Sequence, residues 1–198
     1  MIQKIETENL MQIKGNVRGG VIQANIVFIR EKAGIEKLKA IESKMAELGY
    51  PLDFSKINIG EWYPETLSVL IILVAKDLFN WTEKDIFEMG NSAPKYSFVS
   101  KIAMKYFLSL EKIIKEIPNY WKNHFDFGAL KSSKWSEEEK YLILREEGYK
   151  FHPLLCAYHA GYFLRIAQFA IKCKKITIEE TKCMFKGDHY HEYLIRWE

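Results

Sequence analysis

The sequence predicts an α+β fold: a helical amino-terminal part packed on a small antiparallel sheet that ends in a carboxy-terminal hairpin. Three observations predict it. Apolar residues recur at helical spacing through much of 21–117. Three later segments, 139–146, 177–185 and 190–197, alternate apolar or β-branched residues with polar ones, the period of a strand with one buried face. Helices come first and most strands last, which separates an α+β domain from an interleaved parallel one. With 198 residues, 48% of them hydrophobic, the chain can bury one substantial core, so 1–198 reads as a single domain.

Residues 1–14 are of mixed polarity and read as an amino-terminal arm. Helices are expected over 21–30 and 35–48, parted near Gly34 and ended by Gly49-Tyr50-Pro51. Residues 53–62 form a polar connection, and 64–79 a strongly apolar helix. Its greasiest run, 67–75, is far shorter than the roughly 20 residues that span a bilayer, so it is expected to be buried. Another helix starts at Trp81-Thr82, with Thr82 as N-cap and Asp85 three residues on, and is expected to break at Gly90–Pro94. The longest helix is expected over 97–117, bounded by Pro118. Aromatic residues crowd 120–127, a loop around Trp135 covers 132–138, and a strand covers 139–146. The helix 154–172 then leads into the hairpin.

Net charge is +3, with basic and acidic residues interleaved, so no concentrated basic patch offers itself to nucleic acid. The first residues carry charges where a signal peptide needs an apolar core, and a cytoplasmic protein without a transmembrane segment is expected. Three cysteines in such a chain point to metal or free thiols rather than disulfides, and Cys173 is given no role. Val17-Arg18-Gly19-Gly20 is too short for a phosphate loop, and no Ser/His/Asp or Cys/His arrangement can be argued. No catalytic residue is assigned, and an enzyme is disfavoured.

The chemistry concentrates near the carboxy terminus. Cys156, Glu180, Cys183 and His191 supply two thiolates, a carboxylate and an imidazole, a full ligand set for a closed, structural zinc site. Strands on either side of Lys186-Gly187-Asp188 would set Cys183 opposite His191, with Cβ atoms about 5 Å apart. Glu180 lies three residues before Cys183, which in a regular strand is the other face. The two can share a metal only if the strand bulges near Thr181-Lys182. Cys156 would come from the helix after Pro153 and pin it to the hairpin.

The stretch from Ala160-Gly161-Tyr162-Phe163 through Glu180-Thr181-Lys182-Cys183, Gly187-Asp188 and His191 resembles the 4-vinyl reductase domain, here the part 139–198. That family has a Gly-Tyr/Phe helix, a strand ending Glu-x-x-Cys, a Gly-Asp turn and a last metal-binding Cys. His191 stands at the last position. The resemblance implies zinc on Cys156, Glu180, Cys183 and His191. It also implies a nearby buried pocket for an aromatic ligand, because the same domain is the sensory part of phenol-responsive bacterial activators. The amino-terminal half, from Val17-Arg18-Gly19-Gly20 to Gly34 and then Ala75 to Trp81, is similar in layout to heme nitric-oxide-binding domains. Those two families and the small vesicle-tethering subunits share one fold, the nitric-oxide-signalling and Golgi-transport ligand-binding type, and the resemblance implies that fold here.

A ligand pocket is expected to draw on Trp135, His124, Phe107, Trp121, Tyr158 and Tyr162. In the phenol sensors a ligand-anchoring Trp precedes the first ligand Cys, a place Trp135 takes, and Phe107 falls near the position of a partner His. The heme motifs are incomplete. Asn119-Tyr120 is followed by Trp121, with His124 as the nearest imidazole, and Tyr141-Leu142-Ile143-Leu144-Arg145 lacks the central Ser of the propionate grip. The expectation is therefore a structurally zinc-stabilised sensor module for an apolar or aromatic ligand, with heme disfavoured. It would signal through a partner or a homodimer formed on the amino-terminal arm and the apolar first helix, with Val21, Ile22, Ile26, Val27 and Ile29. The alternatives are a heme- or tetrapyrrole-binding gas-sensor-like protein and a structural interaction module.

Overall fold

A computed structural model describes residues 4–96 and 109–198. Helix α1 (Lys4–Met11) leads to strand β1 (Asn16–Arg18) and helices α2 (Gly19–Ala33) and α3 (Ile35–Glu47). A short turn of 3-10 helix, strand β2 (Trp62–Pro64) and helices α4 (Glu65–Phe79) and α5 (Glu83–Tyr96) follow. Helix α6 (Leu110–His124) precedes strands β3 (Ala129–Ser136) and β4 (Tyr141–Glu147). Helix α7 (Leu155–Ala170) and strands β5 (Ile176–Lys182) and β6 (His191–Trp197) complete the chain. Strands β1 and β2 pair with each other, and the larger antiparallel sheet has the order β3-β4-β6-β5. The α+β architecture expected from the sequence is present.

Helix α4 is central. Its residues from Glu65 to Ala75, Leu67 apart, are buried all round, as suits a helix with no polar face. Ile22, Ile26 and Ile29 of α2, Ile41 and Met45 of α3, and Ile86 and Met89 of α5 join it in one core. Leu142 and Leu144 of β4 and Tyr193 and Ile195 of β6 close that core from the sheet side, with the alternation a half-buried sheet requires. The same packing corrects the proposed dimer surface: Ile22, Ile26 and Ile29 are buried within the chain itself and are not available to a partner.

Several boundaries differ from the sequence reading. The arm contains helix α1, and 132–138 is largely edge strand rather than loop. Two prolines fail to stop their helices: α5 continues through Gly90 and Pro94, and α6 through Pro118. Proline removes one backbone hydrogen bond and clashes with the preceding turn, but here both helices bury apolar faces. Gly90, Ala93 and Pro94 pack inward from α5, and Leu110, Ile117 and Trp121 from α6. The expected helix 97–117 lies outside the described residues over 97–108. Thr82 and Asp85 do cap α5: the Asp85 carboxylate accepts from the Thr82 backbone N–H at 2.8 Å and from its hydroxyl at 2.7 Å.

Helices α5 and α7 meet backbone to backbone. A Cβ on Gly90 would stand 1.9 Å from the Tyr158 carbonyl oxygen, and one on Gly161 would stand 2.0 Å from that of Phe87. Only glycine permits this approach. Asn91 seals it, donating to the Gly161 carbonyl at 3.0 Å and accepting from the Arg165 guanidinium at 3.1 Å. Gly161→Ala should therefore force the helices apart and destabilise the protein by about 3 kcal/mol, at the upper end for overpacked cores. Urea unfolding of the two proteins checks this; a loss below about 0.5 kcal/mol would show that the crossing is loose.

Candidate metal centre and buried cavity

Four side chains from three elements converge at the carboxy-terminal hairpin. Cys156 stands at the start of α7, Glu180 in β5, Cys183 just after β5, and His191 at the start of β6. One donor atom from each lies within 4.8 Å of the others. The thiols are 3.7 Å apart, Cys156 Sγ is 3.8 Å from His191 Nδ1, and that nitrogen is 2.9 Å from Glu180 Oε1. Ligands held about 2.3 Å from a tetrahedral centre stand about 3.8 Å apart, the spacing of Cys156 Sγ from Cys183 Sγ and from His191 Nδ1, while the His191–Glu180 pair is closer, at hydrogen-bond distance.

The local fold explains the convergence. The register between β5 and β6 shifts between Glu180 and Lys182, the bulge needed to turn Glu180 toward the same point as Cys183. Lys182 pairs with Glu192, which sets Cys183 across from His191. The turn is tied by the Cys183 backbone N–H donating to Asp188 Oδ2 at 2.9 Å, with Gly187 at φ 101°. His191 is oriented from behind, its Nε2 donating to the Tyr149 carbonyl at 3.0 Å, so that Nδ1 faces the cluster and would offer its lone pair to a cation on giving up the proton it shares with Glu180. Burial and the Glu180 carboxylate push the Cys156 thiol up. Burial also acts against the charged forms of Glu180 and His191, but their mutual hydrogen bond outweighs it, lowering Glu180 and raising His191. A cation between the donors would reverse the thiol's shift, because a coordinating thiol is deprotonated.

Two adjoining cavities lie above α7. One, of about 260 Å³, runs between α2, α5, α6 and α7 and is lined among others by His124, Trp121, Tyr158, His159 and Tyr162. The other, of about 270 Å³, lies between α6, α7 and the inner face of the sheet, against Leu142, Leu144 and Ile195. Tyr120, Leu130, Tyr162 and Phe163 border both. The Tyr162 hydroxyl donates to that of Tyr120, so this pair stands between the two spaces. His124 ends α6. Its Nδ1 lies 2.9 Å from the Tyr120 carbonyl and donates to it, leaving the lone pair on Nε2. Burial, with the nearby Arg18 cation, holds this imidazole below its usual pKa.

Of the expected pocket residues, His124, Trp121, Tyr158 and Tyr162 line the first cavity. Phe107 lies outside the described residues. Trp135 sits on edge strand β3 opposite Leu142, is 37% exposed, and borders neither cavity. The expected loop is a strand, and Trp135, one residue from its end, is left partly exposed there. Tyr141 and Arg145 occupy the outward positions of β4, since Leu142, Leu144 and Glu146 are the buried ones. The motif that resembled a propionate grip therefore faces away from both cavities.

Sequence reasoning passed over a buried polar chain beside the first cavity. Glu146 Oε2 accepts from His159 Nδ1 at 3.0 Å, the Tyr149 hydroxyl donates to Glu65, and Tyr158 donates to Asn25 at 2.7 Å. Glu146 was legible in the alternation Leu142-x-Leu144-x-Glu146, which sets it on the inner face. Glu65 was legible only as an acid opening an otherwise apolar helix.

No family model and no curated protein matches this chain. Solved structures do. An H-NOX protein from S. oneidensis in its Fe(II)NO ligation state is 13% identical, with a TM-score of 0.67 over 91% of this chain and 99% of that one. The solution structure of an H-NOX domain from Shewanella oneidensis in the Fe(II)CO state is 14% identical, with a TM-score of 0.66 over 91% and 98%. An oxygen-binding H-NOX domain related to soluble guanylate cyclases is 11% identical, with a TM-score of 0.65 over 91% and 95%. The chain thus has the H-NOX fold, in the fold group expected; the vinyl-reductase likeness rests on its own residues alone. One cofactor expectation is corrected. A further neighbour is named for heme redox potential modulated through porphyrin distortion, so heme cannot be set aside as it was, and none of these neighbours speaks for zinc.

Burial pushes the carboxyl of Glu65 up to about 8, against the hydrogen bond from Tyr149. An acid with a raised folded-state pKa binds more protons folded than unfolded. Its contribution is therefore fully present below the unfolded value and is lost as pH rises from about 4.5 to about 8, at about 1.4 kcal/mol per pH unit. Glu65→Gln should flatten that slope. Unfolding free energies measured between pH 5 and pH 8.5 check it; equal slopes in the two proteins would place the charge elsewhere.

Proposed function

We propose that this chain is a sensor-type ligand-binding module of the H-NOX fold whose cavity beside His124 takes heme or a related tetrapyrrole. The observation that carries the reading is a half-buried imidazole with Nδ1 committed to the Tyr120 carbonyl and its Nε2 lone pair free, on the wall of a mainly apolar cavity. That is the donor chemistry of an axial ligand, with the tautomer set by the outer hydrogen bond. A bound heme would supply an iron position for a diatomic gas. The chain's own residues do the rest. Trp121, stacked on Phe125 and donating to the Phe127 carbonyl at 2.8 Å, stiffens the helix that carries His124. Tyr158, Tyr162 and Phe163 keep water from the other wall. Arg18, held by the Asn123 and Gly60 carbonyls, is the nearby cation for a carboxylate of such a group.

A second reading is favoured by one observation. The Tyr120–Tyr162 pair divides the space into two compartments, each just below the roughly 300–1,000 Å³ of small-molecule sites. That size suits a small apolar or aromatic molecule. Under either reading we propose that Cys156, Glu180, Cys183 and His191 hold one metal ion, which ties the first turn of α7 to the hairpin and so steadies the cavity wall. Closure by four protein donors makes that ion structural rather than catalytic.

Titration with hemin should give a sharpened, displaced Soret band saturating at one equivalent. His124→Ala should weaken it at least tenfold while the melting temperature of the empty protein stays within a few degrees. A wild-type protein without a saturable Soret change overturns the heme reading. Quenching of Trp121 fluorescence by small phenols, lost in Tyr162→Trp, would then support the second. Elemental analysis should find about one metal ion per chain. Cys183→Ser should lose it and melt at least 5 °C lower, since metal binding is linked to folding. Metal-free wild-type protein with unchanged melting on metal addition would dismiss the centre.

A further inference from the structure

We propose that the outer face of the four-stranded sheet carries an oxyanion site that takes a phosphate group, built from Arg145, Lys134, Lys182 and the hydroxyl of Ser133. The register places Lys131 opposite Arg145, Arg145 opposite Glu192, and Glu192 opposite Lys182, one straight row across all four strands. The row holds three cations and a single carboxylate. Like charges directly opposed on a sheet cost stability, so Lys131 against Arg145 is a local fault that needs an external reason.

The existing partners do not absorb this charge. Lys131 turns to Glu147 at 2.8 Å, and Lys182 Nζ donates to the Tyr190 hydroxyl at 2.7 Å. Arg145 lies over the Tyr190 ring at 3.9 Å, and its distance to Glu192 is 3.8 Å, too long for a strong ion pair. Its Nε is buried with no hydrogen-bond partner. Lys134 makes no hydrogen bond or ion pair among the described residues. The register shift between Ser132 and Lys134 bends β3 here and opens a groove of about 570 Å³ lined by Lys131, Ser133, Lys134, Arg145, Lys182 and Glu192 among others.

A planar guanidinium stacked on an aromatic ring, two ammonium groups and one hydroxyl offer more donors than one carboxylate satisfies. A phosphate, with several acceptor oxygens and close to two negative charges, matches that set better than a carboxylate does. The groove lies on the opposite side of the sheet from the cavities, so its occupant is separate from the sensed ligand.

The test is a backbone amide NMR titration of the full chain with inorganic phosphate, at ionic strength held constant with sodium chloride. Saturable shifts confined to Lys131–Lys134, Arg145, Lys182 and Glu192 are expected. Arg145→Gln should weaken binding at least tenfold, and the exposed Lys134→Gln severalfold, while Lys39→Gln on α3 leaves it unchanged. Lys134→Gln keeps the test valid should Arg145→Gln fail to fold. Linear or scattered shifts, or equal affinity in Lys134→Gln and wild type, overturn the site. Phenyl phosphate and vesicles with phosphatidic acid distinguish the source: tighter binding of the former marks a small organic phosphate, vesicle co-sedimentation a lipid headgroup, and neither marks free phosphate.

Discussion

The glycine-to-backbone contact between α5 and α7 is the constraint on which the rest of the structure depends. Because Gly90 and Gly161 carry no side chain, α7 lies deep against the helical layer instead of riding on it. Its successive faces then reach every part of the chain's chemistry. Cys156 meets the hairpin, Tyr158 reaches Asn25 on α2, His159 reaches Glu146 on the sheet, and Tyr162 reaches Tyr120 on α6. A helix displaced outward by one methyl at either glycine would lose these contacts together, since they share one rigid body.

The donor cluster and the cavity are physically continuous. His191 donates to the Tyr149 carbonyl, and the hydroxyl of the same tyrosine meets Glu65 at the start of central helix α4. Tyr149 also packs edge-on against His159, which lines the cavity. The cluster therefore adjoins the cavity wall by two routes, the first turn of α7 and the Tyr149 segment. The polar groups involved are deeply buried, where hydrogen bonds are costly to leave unmade, so this junction favours one arrangement over many.

How much was legible differs between the two sites. The cluster was readable residue by residue. Its donor groups are chemically distinctive, three of them lie in one hairpin, and strand period forces the bulge that a shared point requires. The cavity was readable only in part. Trp121, Tyr158 and Tyr162 are aromatic residues among many, and nothing local separates a pocket wall from core filling. Trp135 was misplaced because its segment reads as a loop, while pairing with β4 makes it an edge strand. Pro94 and Pro118 misled for a related reason: their local cost is real, but the buried faces of α5 and α6 outweigh it.

By itself the sequence determined what depends on neighbours in the chain: the α+β order, most helix limits, the hairpin with its bulge, and the four donors that hairpin geometry collects. Only the tertiary structure decided what depends on segments far apart. It turned Tyr141 and Arg145 outward, buried Ile22, Ile26 and Ile29 in the chain's own core, and joined Glu65 to Tyr149. It also set His124 on a cavity wall beside α7. The reason is range. Period and turn chemistry act over a few residues, whereas a cavity exists only where separate helices fail to fill the space between them, and no single segment encodes that shortfall.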